Sequence, residues 1–293
     1  MMVRVVKIGG RVLEDSAWLG RFADFAARSP HGLVVVHGGG PEADAYSRRL
    51  GIVPERVAGR RVTSPEVLDV LEMVLAGRLN KRLVRALASG GVDAIGLSGQ
   101  DGSLLVAEGW SDPSLGRVAE DVRVRVELLR GLLGLGLVPV VAPVSRGEDG
   151  GAVNVNADDV AMAVAAALRA DELLFVTDVP GVRDRDGARS HLDAGEAEAL
   201  IASGVADGGM GIKLAAGLKA LREGVSAVRI GPLEMLVDAS AGTRVGGFGP
   251  AEVPVAAGAS FDGEPAVGSD AAGVMAVASR IPDEAAPSQA GAA

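Results

Sequence analysis

The chain has 293 residues, 48% hydrophobic and only 3% aromatic, enough for one large α/β unit with a core of Val, Leu, Ile and Ala. It has no cysteine and three histidines, His31, His37 and His191. That excludes disulfides and thiolate metal sites, and a clustered imidazole site would consume nearly every histidine from distant points of the chain. The net charge of -9 argues against nucleic acid as a main partner.

Val3 to Ile8 is a β-branched run that reads as a strand, not as a signal peptide. No apolar run approaches the roughly 20 residues of a membrane span, so the expected setting is cytoplasmic. The first strand ends at Gly9-Gly10, and Leu13 to Arg28 has the spacing of an amphipathic helix. Leu33 to Val36 is a second buried strand ending in Gly38-Gly39-Gly40, followed by a helix from about Pro41 to Leu50. Strand, glycines, helix, twice over, predicts an open, largely parallel α/β sheet. Val53 to Val62 is strand-prone, with hairpin potential.

Ser64 is an N-cap with Pro65 behind it, opening a helix that runs through Leu71, Val74, Leu75, Leu79 and Leu83 to Gly90-Gly91. Ala94 to Leu97 is a strand, and Ser98 to Gly109 a polar hairpin around Asp101-Gly102. A helix over Val124 to Leu133 and a strand over Val138 to Ala142 follow. Asn154 to Leu168 begins as a loop and becomes an Ala/Val-rich helix. Leu173 to Val176 is a strand, Ala194 to Ser203 a helix, and Asp207 to Gly211 a glycine-rich turn into a helix over Ile212 to Glu223. Ala227 to Ile230 and Thr243 to Val245 are the last strands. From Gly246 the chain turns to Gly, Ala, Pro and Ser, with six acids against one base. This reads as a disordered tail, so the boundaries are 1–245 and 246–293.

The two glycine clusters, each directly after a strand, are the strongest chemical feature. Glycine lets backbone N–H groups crowd a ligand, and the following helix start adds its positive end. Each cluster alone is equally a tight turn; two of them, preceded by Lys7 and His37, favour anion binding. Neither the P-loop nor the Rossmann glycine pattern is present, and the protein-kinase signatures are missing. Lys7 stands at the end of the first strand, the edge where open parallel sheets bind ligands. Lys213 opposes the dipole of the helix it opens, which suits either a facing anion or a solvated lysine. Asp158, in Asn154-Val155-Asn156-Ala157-Asp158, is either a helix cap or a fixed anion between two lysines. Arg61 is either a surface arginine or a carboxylate clamp.

Taken in order, several segments resemble the amino acid kinase family, and within it the members that phosphorylate N-acetyl-L-glutamate. They are Lys7-Ile8-Gly9-Gly10, His37-Gly38-Gly39-Gly40-Pro41, Gly59-Arg60-Arg61-Val62-Thr63, Glu72 to Lys81 and Gly96 to Gly102. Asn154 to Asp158, Thr177-Asp178-Val179-Pro180-Gly181 and Gly208-Gly209-Met210 with Lys213 complete the set. The resemblance implies a three-layer αβα sandwich with a mainly parallel sheet of about eight strands. It implies transfer of a phosphoryl group from ATP to a side-chain carboxylate, in arginine biosynthesis. Mg²⁺ is expected to be held mainly by the nucleotide phosphates and water, without a protein metal site, because it keeps several waters and needs few protein ligands.

By the same resemblance, Lys7 and Lys213 stabilise the transferring group and Asp158 orients them. Gly39, Gly40, Arg61 and Asn154 hold the amino acid. Gly9, Gly10 and Gly38 hold the ATP phosphates. Thr177, Asp178, Gly181, Gly209 and Met210 lie near the nucleotide. A homodimer or larger homo-oligomer is implied, without nucleic acid or membrane partners. The strand that starts at Val3, with no helix before it, leads to an expectation of arginine insensitivity.

Arg60 stands where the family pattern leads one to expect an apolar residue. Two other readings remain: a kinase for acetylaminoadipate or for carrier-bound aminoadipate or glutamate in lysine biosynthesis, and a non-catalytic ATP or amino acid sensor.

Overall fold

The computed structural model describes residues 2–29, 32–57, 59–110, 112–185 and 187–246. His31 and the expected tail beyond Gly246 lie outside the described residues. The chain opens with β1 (Val3–Ile8), a 3₁₀ turn (Arg11–Glu14), α1 (Ser16–Arg28), β2 (Gly32–His37), α2 (Gly40–Arg49) and a hairpin of β3 (Arg56–Val57) and β4 (Arg60–Arg61). A long helical stretch follows as α3 (Pro65–Leu71), a π-helical segment (Glu72–Leu79) and α4 (Asn80–Ser89). Then come β5 (Ala94–Ser98), β6 (Leu105–Glu108), β7 (Val118–Ala119), β8 (Asp121–Val124), α5 (Val126–Gly134), β9 (Val138–Ala142), β10 (Val144–Arg146) and β11 (Ala152–Val155). The last part holds α6 (Ala157–Leu168), β12 (Glu172–Val176), β13 (Arg183–Asp184), β14 (Gly187–Ala188), β15 (His191–Leu192), α7 (Ala194–Ala202), α8 (Gly208–Arg222), β16 (Val228–Gly231) and β17 (Thr243–Val245).

Eight strands form the main sheet in the order β15-β17-β16-β12-β1-β2-β9-β5. Every pairing in it is parallel except β16 with β17, as the strand-glycine-helix alternation predicts. β1 lies between β2 and β12, so the chain leaves it in one direction and later returns on the other side, which opens a crevice at the C-terminal ends of these strands.

The period-2 alternation of a strand decides which way the β1 side chains face. Val5 packs in a core with residues of α5, α6 and α8. Val6 and Ile8 pack on the opposite face with α1, α3 and α4. Lys7 therefore shares the Val5 side, toward α6 and α8, opposite Phe175 of β12.

Several expectations from the sequence need correction. The first helix starts at Ser16 rather than Leu13, because Asp15 caps it by accepting from the N–H groups of Ala17 at 2.9 Å and Trp18 at 3.0 Å. Asp101-Gly102 is no hairpin. Asp101 Oδ2 accepts from Ser98 N at 2.6 Å and Ser98 Oγ at 2.8 Å, and β6 leaves the main sheet to pair with β8. The helix after the glycine-rich turn starts at Gly208, and Asn154 lies on a strand rather than in a loop. Strands β7, β11, β10, β6 and β8 form a second, five-stranded sheet. None of them exceeds four residues, too short for a periodic signal.

Candidate active site

The crevice at the strand ends contains two adjoining cavities. The inner one, about 250 Å³, is lined by Gly38-Gly39-Gly40, by the β3–β4 hairpin residues Arg56, Gly59, Arg60 and Arg61, and by Asn154, Asn156 and Leu75. The outer groove, about 410 Å³, is lined by Gly9, Arg11, Thr177, Asp178, Gly209, Met210 and Lys213. Lys7 and Gly10 line both.

Two of the glycines, Gly10 and Gly39, are demanded by contact. A Cβ on Gly10 would stand 2.6 Å from Gly39 Cα and 2.9 Å from Gly39 N, and a Cβ on Gly39 would collide with Leu75 and Leu79. The loops after β1 and β2 therefore touch backbone to backbone. Gly39 is the N-cap of α2 and offers no side chain to its first N–H groups, which leaves them open to an anion. Pro41 follows in the first turn, where its missing N–H costs nothing.

Asp158 sits in the first turn of α6, whose cap is Asn156, accepting from Asp158 N at 2.9 Å. Its carboxylate is thereby released from capping. Lys7 Nζ lies 2.9 Å from Asp158 Oδ1, and Lys213 Nζ lies 3.4 Å from Asp158 Oδ2. Lys213 Nζ also donates to Gly209 O at 3.2 Å. Two ammonium groups on one carboxylate leave a local excess of one positive charge at the junction of the cavities. Burial lowers the pKa of Lys213 from its ordinary value; Asp158 opposes this and the Lys7 charge adds to it.

Arg61 is buried. One guanidinium nitrogen pairs with Asp44 and the other donates to Gly40 O at 3.1 Å. Asn154 Nδ2 donates to Thr63 Oγ1 at 3.0 Å, and that hydroxyl donates to Arg61 O at 3.1 Å, which ties β11 to the hairpin.

The structure thus brings Lys7, Lys213 and Asp158 together at the junction, places Gly39, Gly40, Arg61 and Asn154 around the inner cavity, and sets Gly9, Thr177, Asp178, Gly209 and Met210 along the groove. Two expectations shift. Gly38 lines the inner cavity and not the groove. Gly181 lines neither cavity; a Cβ there would stand 2.5 Å from Thr243 Oγ1, so its glycine serves close packing.

His37 is no anion ligand. It is fully buried, and its neutral ring donates from Nδ1 to Gly38 O at 2.9 Å and accepts at Nε2 from Asn80 Nδ2 at 3.3 Å. Sequence reasoning missed Asp44 and its pairing with Arg56, an arginine it read only as part of a cluster able to attract an acidic carrier protein. Their side chains meet only through the tertiary fold, with Arg56 Nη2 2.8 Å from Asp44 Oδ2.

Residues 2–232 match the model of the amino acid kinase family. The chain belongs to that family. Among amino acid kinase family members, the acetylglutamate kinase of Chloroflexus aurantiacus is 46% identical over 245 residues, covering 83% of this chain and 96% of that one. The acetylglutamate kinase of Methanopyrus kandleri is 44% identical over 246 residues, covering 80% and 97%. Among solved structures, the N-acetylglutamate synthase of Neisseria gonorrhoeae, complexed with coenzyme A and N-acetyl-glutamate, superposes with a TM-score of 0.74 at 25% identity, covering 84% of this chain and 59% of that one.

Proposed function

We propose that this protein transfers the γ-phosphoryl group of ATP to the side-chain carboxylate of N-acetyl-L-glutamate, forming an acyl phosphate and ADP in arginine biosynthesis. The observation that carries this reading is the position of Lys7 in the shared wall of the two cavities, on the same carboxylate as Lys213. The inner cavity suits the acetylated amino acid and the outer groove the nucleotide, with the reacting groups meeting between them. Identity of 44–46% to acetylglutamate kinases over nearly their whole length supports the substrate.

The chemistry follows from charge. The substrate carboxylate is ionised at neutral pH, with a reference pKa of about 4.3, so no general base is needed. One carboxylate oxygen attacks the γ-phosphorus while the bond to the β-phosphate oxygen breaks and its electrons leave with ADP. Two anions must approach, so catalysis is positioning and charge neutralisation. The ammonium groups of Lys7 and Lys213 flank the transferring group, and Asp158 holds both in place. Backbone N–H groups beside Gly9, Gly10 and Gly39 add donors. Arg61 and the α2 N-terminus receive the α-carboxylate, and Asn154 contacts the substrate.

Among the described residues no group of three acids or histidines could hold a metal ion, and Asp178 is the acid lining the groove. This fits Mg²⁺ carried by the nucleotide phosphates and water, where it offsets phosphate charge.

A coupled ADP-release assay with N-acetyl-L-glutamate, N-acetylaminoadipate and a carrier-bound aminoadipate tests the reading. Turnover is expected to be fastest with N-acetyl-L-glutamate. Preference for either aminoadipate substrate, or ATP binding without turnover of any acceptor, overturns it.

A further inference from the structure

Arg56 and Arg61 are directly opposite each other in the β3–β4 hairpin. Like charges in that register repel and weaken a strand pair, and this hairpin has only two residues on each side. One buried carboxylate reconciles them: Asp44 of α2 binds Arg61 with Oδ1 and Arg56 with Oδ2. Burial opposes ionisation of Asp44, but the bonds from Arg56 and Arg61 outweigh it and hold its pKa below the ordinary value.

Both guanidinium tips also border one small space. A Cβ built on Gly40 would lie 3.7 Å from Arg61 Nη2 and 3.8 Å from Arg56 Nη2. Both arginines and Gly40 line the inner cavity. Each guanidinium carries five N–H donors. The contacts to Asp44 and Gly40 O occupy two of these on Arg61, and the contact to Asp44 occupies one on Arg56. Two cations against one anion leave a positive excess beside the α2 N-terminus, to which the Arg48 charge adds, and this suits one more carboxylate. The neighbouring Arg60 is already paired with Glu120 at 3.2 Å.

We propose that Arg56 is a second carboxylate-binding guanidinium of the inner cavity, and that Asp44 is the positioning residue that holds Arg56 and Arg61 as one clamp. This rests on the amino-acid-phosphorylating reading above and extends it. Arg61, 8% exposed, is the fixed inner jaw, and Arg56, 43% exposed, is the outer jaw reached first from solvent. The ligand is a carboxylate attached to the carbon that bears the acylamino group.

Steady-state kinetics on the full chain tests this with two acceptors. One is N-acetyl-L-glutamate. The other is 4-acetamidobutanoate, which keeps the acetamido group and the reacting carboxylate but lacks the α-carboxylate. Turnover of N-acetyl-L-glutamate by the unaltered enzyme is measured first; its absence defeats the parent reading and not the clamp alone. Arg56→Gln is expected to lower kcat/KM for N-acetyl-L-glutamate about tenfold or more, chiefly through KM. The same variant should change the 4-acetamidobutanoate value less than about twofold, read as an inhibition constant if turnover is too slow. Arg56→Lys should recover part of the loss, because an ammonium keeps the charge without the fork. Asp44→Asn should raise KM for N-acetyl-L-glutamate in the parent enzyme and less than additively in the Arg56→Gln background, where Asp44 still holds Arg61 alone. Equal losses on both acceptors, an unchanged KM, or strict additivity of the two substitutions overturns the proposal.

Discussion

The backbones of Gly10 and Gly39 meet so closely that a Cβ on the first would stand 2.6 Å from the Cα of the second. This contact seats the loop after β1 against the N-terminus of α2, so the two glycine clusters form one continuous cradle. Gly10→Ala cannot be absorbed by a flexible side chain, since the opposing atoms are main chain. It should destabilise the fold by about 1–3 kcal/mol as overpacking and lower kcat at least about tenfold by separating the loops. Thermal unfolding alongside kinetics checks this; a variant with normal kcat would show that the contact is not needed for chemistry.

Lys7→Ala and Lys213→Ala should each reduce kcat by about 10²–10³ while the protein stays folded, because each removes a preorganised positive donor. Burial places the Lys213 pKa below its ordinary value, so kcat should fall on the alkaline side before pH reaches the usual lysine range. Lys213→Arg should carry any remaining activity further into alkali, since guanidinium stays protonated. An alkaline limb unmoved by Lys213→Arg would assign it to another group.

Arg61→Ala should mainly raise KM for the amino acid and spare kcat, because the α-carboxylate that the proposed function assigns to it does not react. Initial-rate measurements at saturating ATP decide the matter. A collapse of kcat at constant KM would place Arg61 at the transferring group instead.

Burial drives the pKa of His37 down to about 4, with the Gly38 bond opposing and the Lys81 charge assisting. The unfolded chain takes up its proton near 6.5, well above the folded protein. Stability therefore falls as pH drops from 6.5 toward 4 and levels off below that, by on the order of 3 kcal/mol from this group. Urea unfolding from pH 7.5 to 4 should show a shallower acid loss for His37→Asn than for the parent, even though the variant starts less stable. Identical slopes would mean the ring is not the titrating group.

Asp159 runs the other way. Burial raises its pKa to about 6, Arg60 pulling it down and Asp158 pushing it up. The native state gives up this proton later than the unfolded chain, so stability declines as pH rises from 3.8 to about 6 and stays reduced above. Asp159→Asn should add about 1–2 kcal/mol at pH 8 and nearly nothing at pH 4. A gain of equal size at both values would point to packing instead of charge.

The catalytic candidates were legible because their chemistry is local in sequence. Lys7 ends a β-branched run, the glycines follow two strands directly, and Asp158 lies in a run of short polar residues before an apolar helix. The Arg56–Asp44–Arg61 clamp was not legible. It joins a helix to a two-residue hairpin; Arg61 lies in the Gly59 to Thr63 motif, but no period or motif ties Asp44 or Arg56 to it. The second sheet was hidden for the same reason, its strands gaining stability from neighbours and not from their own pattern. His37 misled in the opposite direction. Its position before three glycines looks like anion binding, yet alternation along β2 turns it into the core, where Asn80 and Gly38 satisfy its ring.

Residue order alone set the parallel α/β architecture, the two glycine loops at strand ends and the place of Lys7 at the end of β1, because these follow from hydrophobic periodicity and from the backbone freedom of glycine. Tertiary structure alone decided that Lys7 and Lys213 share the Asp158 carboxylate, that Gly181 serves packing, and that Asp44 joins two repelling arginines. Those outcomes depend on charges and contacts between segments far apart in the chain, and their energies exist only once packing has brought the groups together.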